Sequence, residues 1–267
     1  MAVWSLSEGR QLVAFSLHCR LQTIAYTPNG LHLVGGTSDG DIYVWDAEEY
    51  GVRAVLRNHT SVVAFIIFSS DGHLMATGGG DKVCATWGAL RLSRSKPLCL
   101  LSAGNGVICT AAFSPDSARI VTGSEDGSAC IWNARTGDAL VQIRAHTQAI
   151  WALAFSPDGK RFVSGSGDSN ICAFDSFTGA RRWSMGDQQG GIISINFSPD
   201  GKLIASAASL DSRINIRNAD DGSDFCTYDN HRGNVTCMLY SPDGLSIASG
   251  SHDGSLVLRS FSVTDTT

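Results

Sequence analysis

Three sets of residues have the types that nucleophilic hydrolysis uses. His59, His146 and His231 each stand 22 residues ahead of an aspartate, Asp81, Asp168 and Asp253. A hydroxyl residue lies between the members of each pair: Thr77, Ser164 or Ser249. In a hydrolase such a set works as a relay, in which the imidazole takes the hydroxyl proton and the carboxylate fixes the imidazole tautomer. Here the set recurs by position along the chain, and no nucleophile elbow or oxyanion loop accompanies it. Recurrence of that kind predicts a structural use. Nor does the chain contain GxxxxGK[ST], HExxH, or GxGxxG after a strand, and Gly78-Gly-Gly80 belongs to a recurring turn. The eight cysteines form no CxxC pair and no zinc spacing. Most sit in short apolar runs such as Val107-Ile-Cys-Thr110, where a thiol behaves as a small buried hydrophobe. The expectation is a protein that is not an enzyme, with no metal and no cofactor.

The elements that position these residues are set by a repeat. Thr27-Pro-Asn-Gly30, Ser69-Ser-Asp-Gly72, Ser114-Pro-Asp-Ser117, Ser156-Pro-Asp-Gly159, Ser198-Pro-Asp-Gly201 and Ser241-Pro-Asp-Gly244 begin 42, 45, 42, 42 and 43 residues apart. Proline presets φ at the second turn position, aspartate favours the turn locally and glycine accepts positive φ. Each turn joins two apolar runs rich in β-branched and aromatic residues, and a second turn carrying Asp39, Asp81, Asp126, Asp168, Asp211 or Asp253 follows. Two further strands complete the period, for example Ala129-Cys-Ile-Trp132 and Ala139-Leu-Val-Gln-Ile-Arg144. Four short strands per period predict an all-β protein of antiparallel four-stranded sheets, and the absence of helical periodicity excludes α/β folds. Radial repetition of such sheets, a β-propeller, limits exposed strand edges.

The chain resembles the WD-repeat family of β-propellers over nearly its whole length. The resemblance rests on the period, the SPDG turns, the second-turn aspartates and a tryptophan six residues beyond. Trp45, Trp87 and Trp132 keep that tryptophan, while Phe174, Arg217 and Arg259 replace it. His18 is one residue out of register with the histidine position, and repeats three and five carry Gly104 and Gln189 there. The family implies that these residues form a buried polar chain from tryptophan through hydroxyl and imidazole to carboxylate. Only His59, Thr77, Asp81 and Trp87 complete it; repeat three keeps Thr122, Asp126 and Trp132, and repeat four keeps His146, Ser164 and Asp168.

One domain over residues 1–267 is expected, with a partial repeat at 1–18 and repeats at about 19–58, 59–103, 104–145, 146–187, 188–230 and 231–267. Ala2–Leu6 and Gln11–Leu17 read as the third and fourth strands of a further repeat, with Trp4 in the tryptophan position. The preferred reading is seven blades with one incomplete. The alternative is six blades, with residues 11–17 closing the last one beside 255–260.

Composition bounds the partners. The 267 residues are 43% hydrophobic and 17% charged with a net charge of −5, which excludes a basic nucleic-acid footprint and suits a packed core. The longest apolar run, Val62–Phe68, is too short to span a bilayer, and no basic segment and apolar stretch at the start resemble a signal peptide. Reduced cysteines then suit an intracellular setting, cytoplasmic or nuclear.

Family resemblance implies a rigid platform that binds proteins or peptide segments through its loops. Residues just before the second-turn aspartates, among them Glu125, Leu210 and His252, are expected to point outward. Trp151 begins a first strand where repeats two and six have Ala64 and Thr236, and is a candidate anchor if it is not filling a gap between blades. At the opposite face the longer loop Gly88–Pro97 carries Arg91, Arg94 and Lys96 without an acid, suited to an acidic or phosphorylated segment. Two alternatives also rest on resemblance. Trp132-Asn-Ala-Arg135 is similar to the WDxR box of WD-repeat adaptors of cullin-type ubiquitin ligases, with Asn133 in place of the aspartate. The regular repeats and a start within a repeat resemble the propellers of fungal NTPase receptors, which would make the chain a regulatory or sensor domain.

Overall fold

The computed structural model describes residues 2–4, 9–14, 17–92, 96–102, 106–186, 188–229 and 231–260. They form two compact units, Met1–Ser102 and Ala103–Thr267. The first unit holds a two-stranded pair, Ala2–Trp4 with Gln11–Ala14, and two four-stranded sheets. Its first sheet is Leu21–Tyr26, His32–Thr37, Asp41–Asp46 and Val52–Arg57; its second is Val63–Phe68, Leu74–Gly79, Cys84–Gly88 and Cys99–Leu101. The second unit continues with Ile108–Phe113, Arg119–Ser124, Ser128–Asn133 and Ala139–Arg144 as the third sheet. Ile150–Phe155, Arg161–Ser166, Ile171–Asp175 and Arg181–Met185 make the fourth. The fifth is Ile192–Phe197, Leu203–Ala208, Arg213–Asn218 and Asp224–Asp229; the sixth has Val235–Tyr240, Ser246–Ser251 and Leu256–Ser260. The sixth sheet thus shows three strands among the described residues, where a complete repeat was expected.

Within every sheet the strands pair antiparallel in chain order, so each connection is a hairpin. The SPDG turns are built as their residue types require. In each, the first side-chain hydroxyl donates to the third residue's side chain, as Ser156 does to Asp158 at 2.6 Å, and accepts the N–H five residues on, here Arg161 at 3.0 Å. The fourth residue takes positive φ, from +69° at Gly72 and Gly159 to +73° at Gly201 and Gly244; Ser117 does so at +58° without being glycine.

Middle strands are covered on both faces, and outer strands alternate. Arg119–Ser124 is buried throughout, whereas Ala139–Arg144 alternates between half-buried and exposed. The sheets of the second unit pack face to face through residues such as Ile131, Ile150 and Phe162, or Val163, Ile192 and Ile204. Gly123 and Gly165 permit this approach: a Cβ there would lie 2.7 Å from Ile150 Cγ2 and 2.4 Å from Ile192 Cγ2. In the first unit Val34, Ile42, Val63, Met75 and Trp87 form the corresponding core. No helix among the described residues is long and apolar enough to cross a membrane.

Candidate functional site

The buried polar chain is complete in the second sheet. Trp87 Nε1 donates to Thr77 Oγ1 at 2.8 Å. The Thr77 hydroxyl donates to His59 Nε2 at 2.8 Å, and His59 Nδ1 donates to Asp81 Oδ2 at 2.8 Å. A carboxylate only accepts, so the tautomer with Nδ1–H satisfies every group. In the fourth sheet Ser164 donates to His146 Nε2 at 2.7 Å and His146 Nδ1 meets Asp168 at 3.1 Å, while Phe174 stacks on Phe162 with ring centroids 5.1 Å apart. In the sixth, Ser249 lies 2.7 Å from His231 Nε2, and Nδ1 meets Ser255 at 3.0 Å and Asp253 at 3.4 Å. The third keeps only Trp132 Nε1 to Thr122 Oγ1 at 2.9 Å, with Asp126 turned onto Ser128 and Gly104 outside the described residues. Thr77 and Ser164 are fully buried, so each is a structural hub without the access that a nucleophile needs.

One of the sequence expectations needs correction. In the fifth sheet the side chain on Ser206 belongs to Gln188, not Gln189: Gln188 Nε2 donates to Ser206 Oγ. The turn between Ser206 and Asp211 is one residue longer than its counterparts, so counting back from the aspartate falls one residue short. Asp211 instead grips Arg213, at 2.9 and 3.1 Å. In the first sheet Cys19, rather than His18, approaches Asp39, and burial together with that carboxylate pushes its thiol up. Gly35 takes the hydroxyl position there, and Trp45 covers it: a Cβ at Gly35 would lie 2.8 Å from the indole.

The electrostatics of the fourth sheet give a pH signature. Burial holds the His146 imidazole below its ordinary 6.5, partly offset by Asp168. Burial pushes Asp168 up, but the Thr147 and Asn170 N–H groups and His146 outweigh it and bring the carboxyl down to about 2. Both shifts leave the unfolded chain binding more protons, so stability rises with pH. Acidification is expected to reduce stability first below about pH 6.5, as an unfolded histidine protonates, and again from about pH 4 toward 2. The check is unfolding free energy against pH for wild type and His146→Gln, a side chain that already occupies this position as Gln188. The variant should flatten the slope between pH 7 and 5, and an unchanged slope contradicts the assignment.

The second turns and the starts of the first strands lie at one end of each sheet. Every first strand carries a β-bulge there, whose extra residue is Gln22, Ala64, Cys109, Trp151, Ile193 or Thr236. A bulge re-aims the side chain that it frees from the ladder. Trp151 is 46% exposed, with its ring beside Gly191, where a Cβ would lie 3.4 Å from Cζ3. Leu210, 69% exposed, packs at the adjoining Gly190. Trp151 therefore both borders the next sheet and presents an open face. Glu125 and His252 are exposed on their own second turns in the same unit. The bulge was not legible as such, although Trp151 stood out by its type.

At the opposite end, Lys96 is exposed; the Arg91 side chain and residue Arg94 lie outside what is described. A 3₁₀ turn, Ala89–Arg91, occupies part of the loop. Asn133 Oδ1 accepts the N–H groups of Arg135 and Thr136, so the WDxR-like segment is the cap of a turn. A polar cavity of about 590 Å³ adjoins the His146 set; Arg144 and Arg181 face Asp126 and Asp168 there, so its charges balance. Among the described residues no three His, Cys, Asp or Glu side chains group to hold a metal.

Comparison with known proteins agrees with this architecture. A chain in the crystal structure of a mitotic checkpoint complex matches with a TM-score of 0.85 over 97% of this chain and 81% of that one, at 20% identity, which is a likeness of fold. The Protein LST8 homolog of Drosophila pseudoobscura pseudoobscura is 28% identical over 110 residues, 39% of this chain and 35% of that protein. Autophagy-related protein 16 of Arabidopsis thaliana is 26% identical over 155 residues, 55% of this chain and 29% of that protein. The matches thus span about a third of these relatives' lengths. The model of the WD domain, G-beta repeat, matches residues 9–46, 51–87, 95–133, 137–175, 181–218 and 222–259, and the chain belongs to the WD40 family of β-propellers.

Proposed function

We propose that the chain is a non-enzymatic scaffold that docks protein segments at the second-turn ends of its sheets, around Trp151 and Leu210. WD40 propellers generally act as protein-interaction scaffolds. The observation that carries the reading is the bulged, half-exposed Trp151 beside the exposed Leu210, at a position filled elsewhere by smaller residues. Large aromatics set at the centre of a contact surface dominate binding energy, and exposed polar residues such as Glu125 and His252 suit a rim. The setting proposed is intracellular, cytoplasmic or nuclear, with proteins rather than nucleic acid or membrane as partners.

The test compares capture from native lysate by wild type, Trp151→Ala and Leu210→Ser, each with an unchanged thermal transition. A defined set of proteins is expected to bind wild type and to bind Trp151→Ala at least ~30-fold more weakly, the scale of a hot spot. Full retention by both variants contradicts the proposed surface.

A further inference from the structure

The polar cavity of about 590 Å³ beside the His146 set lies within the ~300–1,000 Å³ range of ligand sites. It is a groove between the outer parts of the third and fourth sheets, and every residue that lines it belongs to the second unit. Its charged groups are Arg144, Arg181, Asp126 and Asp168; His146 is neutral at pH 7, since burial holds it below its ordinary 6.5. Those charges cancel, but the hydrogen bonds among them do not. Asp168 commits both oxygens, to His146 Nδ1 at 3.1 Å, the Thr147 N–H at 2.9 Å and the Asn170 N–H at 3.0 Å. Asp126 commits Oδ1 to the N–H and the hydroxyl of Ser128.

The donors are left over. Arg181 donates from Nη2 to the Ala145 carbonyl at 2.7 Å, and its Cζ lies 5.7 Å from the Phe174 ring centroid. That contact holds the guanidinium at the groove, while its Nε and Nη1 make no hydrogen bond among the described residues. The exposed Arg144 guanidinium makes none at all among those residues, and meets Asp126 only through its charge. Two planar donor forks thus line one space that is short of acceptors. A carboxylate supplies two coplanar oxygens in the matching geometry. A phosphoryl group would bring close to two negative charges beside Asp126 and Asp168, where the existing charges already cancel; a carboxylate brings one. A basic side chain would find both Asp168 oxygens taken.

We propose that this groove binds the carboxylate of an aspartate or glutamate side chain in a partner segment, held between Arg144 and Arg181. The groove continues into the second-turn ends: a Cβ at Gly191 would lie 2.9 Å from the Cα of Gly167, the neighbour of Asp168, and 3.4 Å from the Trp151 ring. The choice of a protein segment as the source rests on the scaffold reading, whereas the carboxylate site itself does not.

The test follows the side-chain N–H signals of Arg144 and Arg181 by NMR, at pH 7 and low salt, as acetyl-Gly-Glu-Gly-amide is added. Both signals are expected to shift with a Kd on the order of 1 mM, as suits a single anchor. The glutamine peptide should shift neither, and acetate should bind at least ~5-fold more weakly, because it leaves most of the groove empty. Arg144→Gln, at an exposed side chain, should keep the wild-type thermal transition and weaken the peptide at least ~5-fold as read on Arg181. Trp151→Ala should leave the titration unchanged. Equal shifts with the glutamine peptide, tighter binding of the phosphoserine peptide, or no shift at ~20 mM would overturn the site. Acetate binding as tightly as the glutamate peptide would overturn the protein segment as its source.

Discussion

Thr77→Val is expected to cost about 2–4 kcal/mol of stability, because one hydroxyl serves two buried partners. Valine matches threonine in shape and opens no cavity. What it removes is the acceptor for Trp87 Nε1 and the donor to His59 Nε2, both at 2.8 Å and both deep in the sheet. Thr122→Val is the internal comparison, since Thr122 bonds Trp132 and faces no histidine among the described residues. It should cost roughly 1–2 kcal/mol, the value of one buried hydrogen bond with its orphaned partner. Urea unfolding with an unchanged m-value separates the two. Equal losses would mean that the imidazole adds nothing to the chain.

The second large effect is expected at Arg119, which ties the third sheet to the fourth. Its guanidinium is buried and donates from Nη1 to the Ser176 carbonyl and hydroxyl, both at 3.0 Å, and from Nη2 to the Gly159 carbonyl at 3.2 Å. The Phe177 ring lies 3.8 Å from its Cζ. Arg161 repeats the contact one sheet on, donating to Ala219 O at 2.9 Å, Asp220 at 2.6 Å and Gly201 O at 3.4 Å. Arg119→Met keeps the apolar stem but removes three charge-assisted hydrogen bonds and strands the buried Ser176 carbonyl, the Gly159 carbonyl keeping the Ser176 hydroxyl at 2.6 Å, at an expected cost of about 3–4 kcal/mol. For a unit of this size that lowers Tm by roughly 6–12 °C. Arg161 lies nearer the solvent, and Arg161→Met should cost about half as much because water can replace its contacts. A fall of less than ~2 °C for Arg119→Met would show that these turns hold the sheets together without it.

Much of this was legible because the repeat writes the same local chemistry many times. SPDG fixes a turn through bonds within six residues, and a 42-residue spacing of such turns left one architecture. The His59, Thr77, Asp81 and Trp87 chain was readable for the same reason: each member keeps its place in the period. Legibility failed where the period slips. Counted from the hydroxyl instead of the aspartate, the imidazole position lies 18 residues back in repeats two, four and six, and the same count finds Gln188. Arg119 was not legible, because its partners stand 40 and 57 residues away and, among the described residues, only Arg161 shares its role. Trp151 was noticed by type, but a sequence does not show the bulge that turns it outward.

The central claim is that partners dock at the second-turn ends of the sheets. A photo-crosslinking residue at position 210, compared with one at the exposed Leu245 near the SPDG end of the sixth sheet, tests it most directly. Position 210 should yield adducts with the proteins that Trp151→Ala loses, and position 245 should not. Adducts from 245 alone, or equally from both, would contradict the assignment of the docking surface.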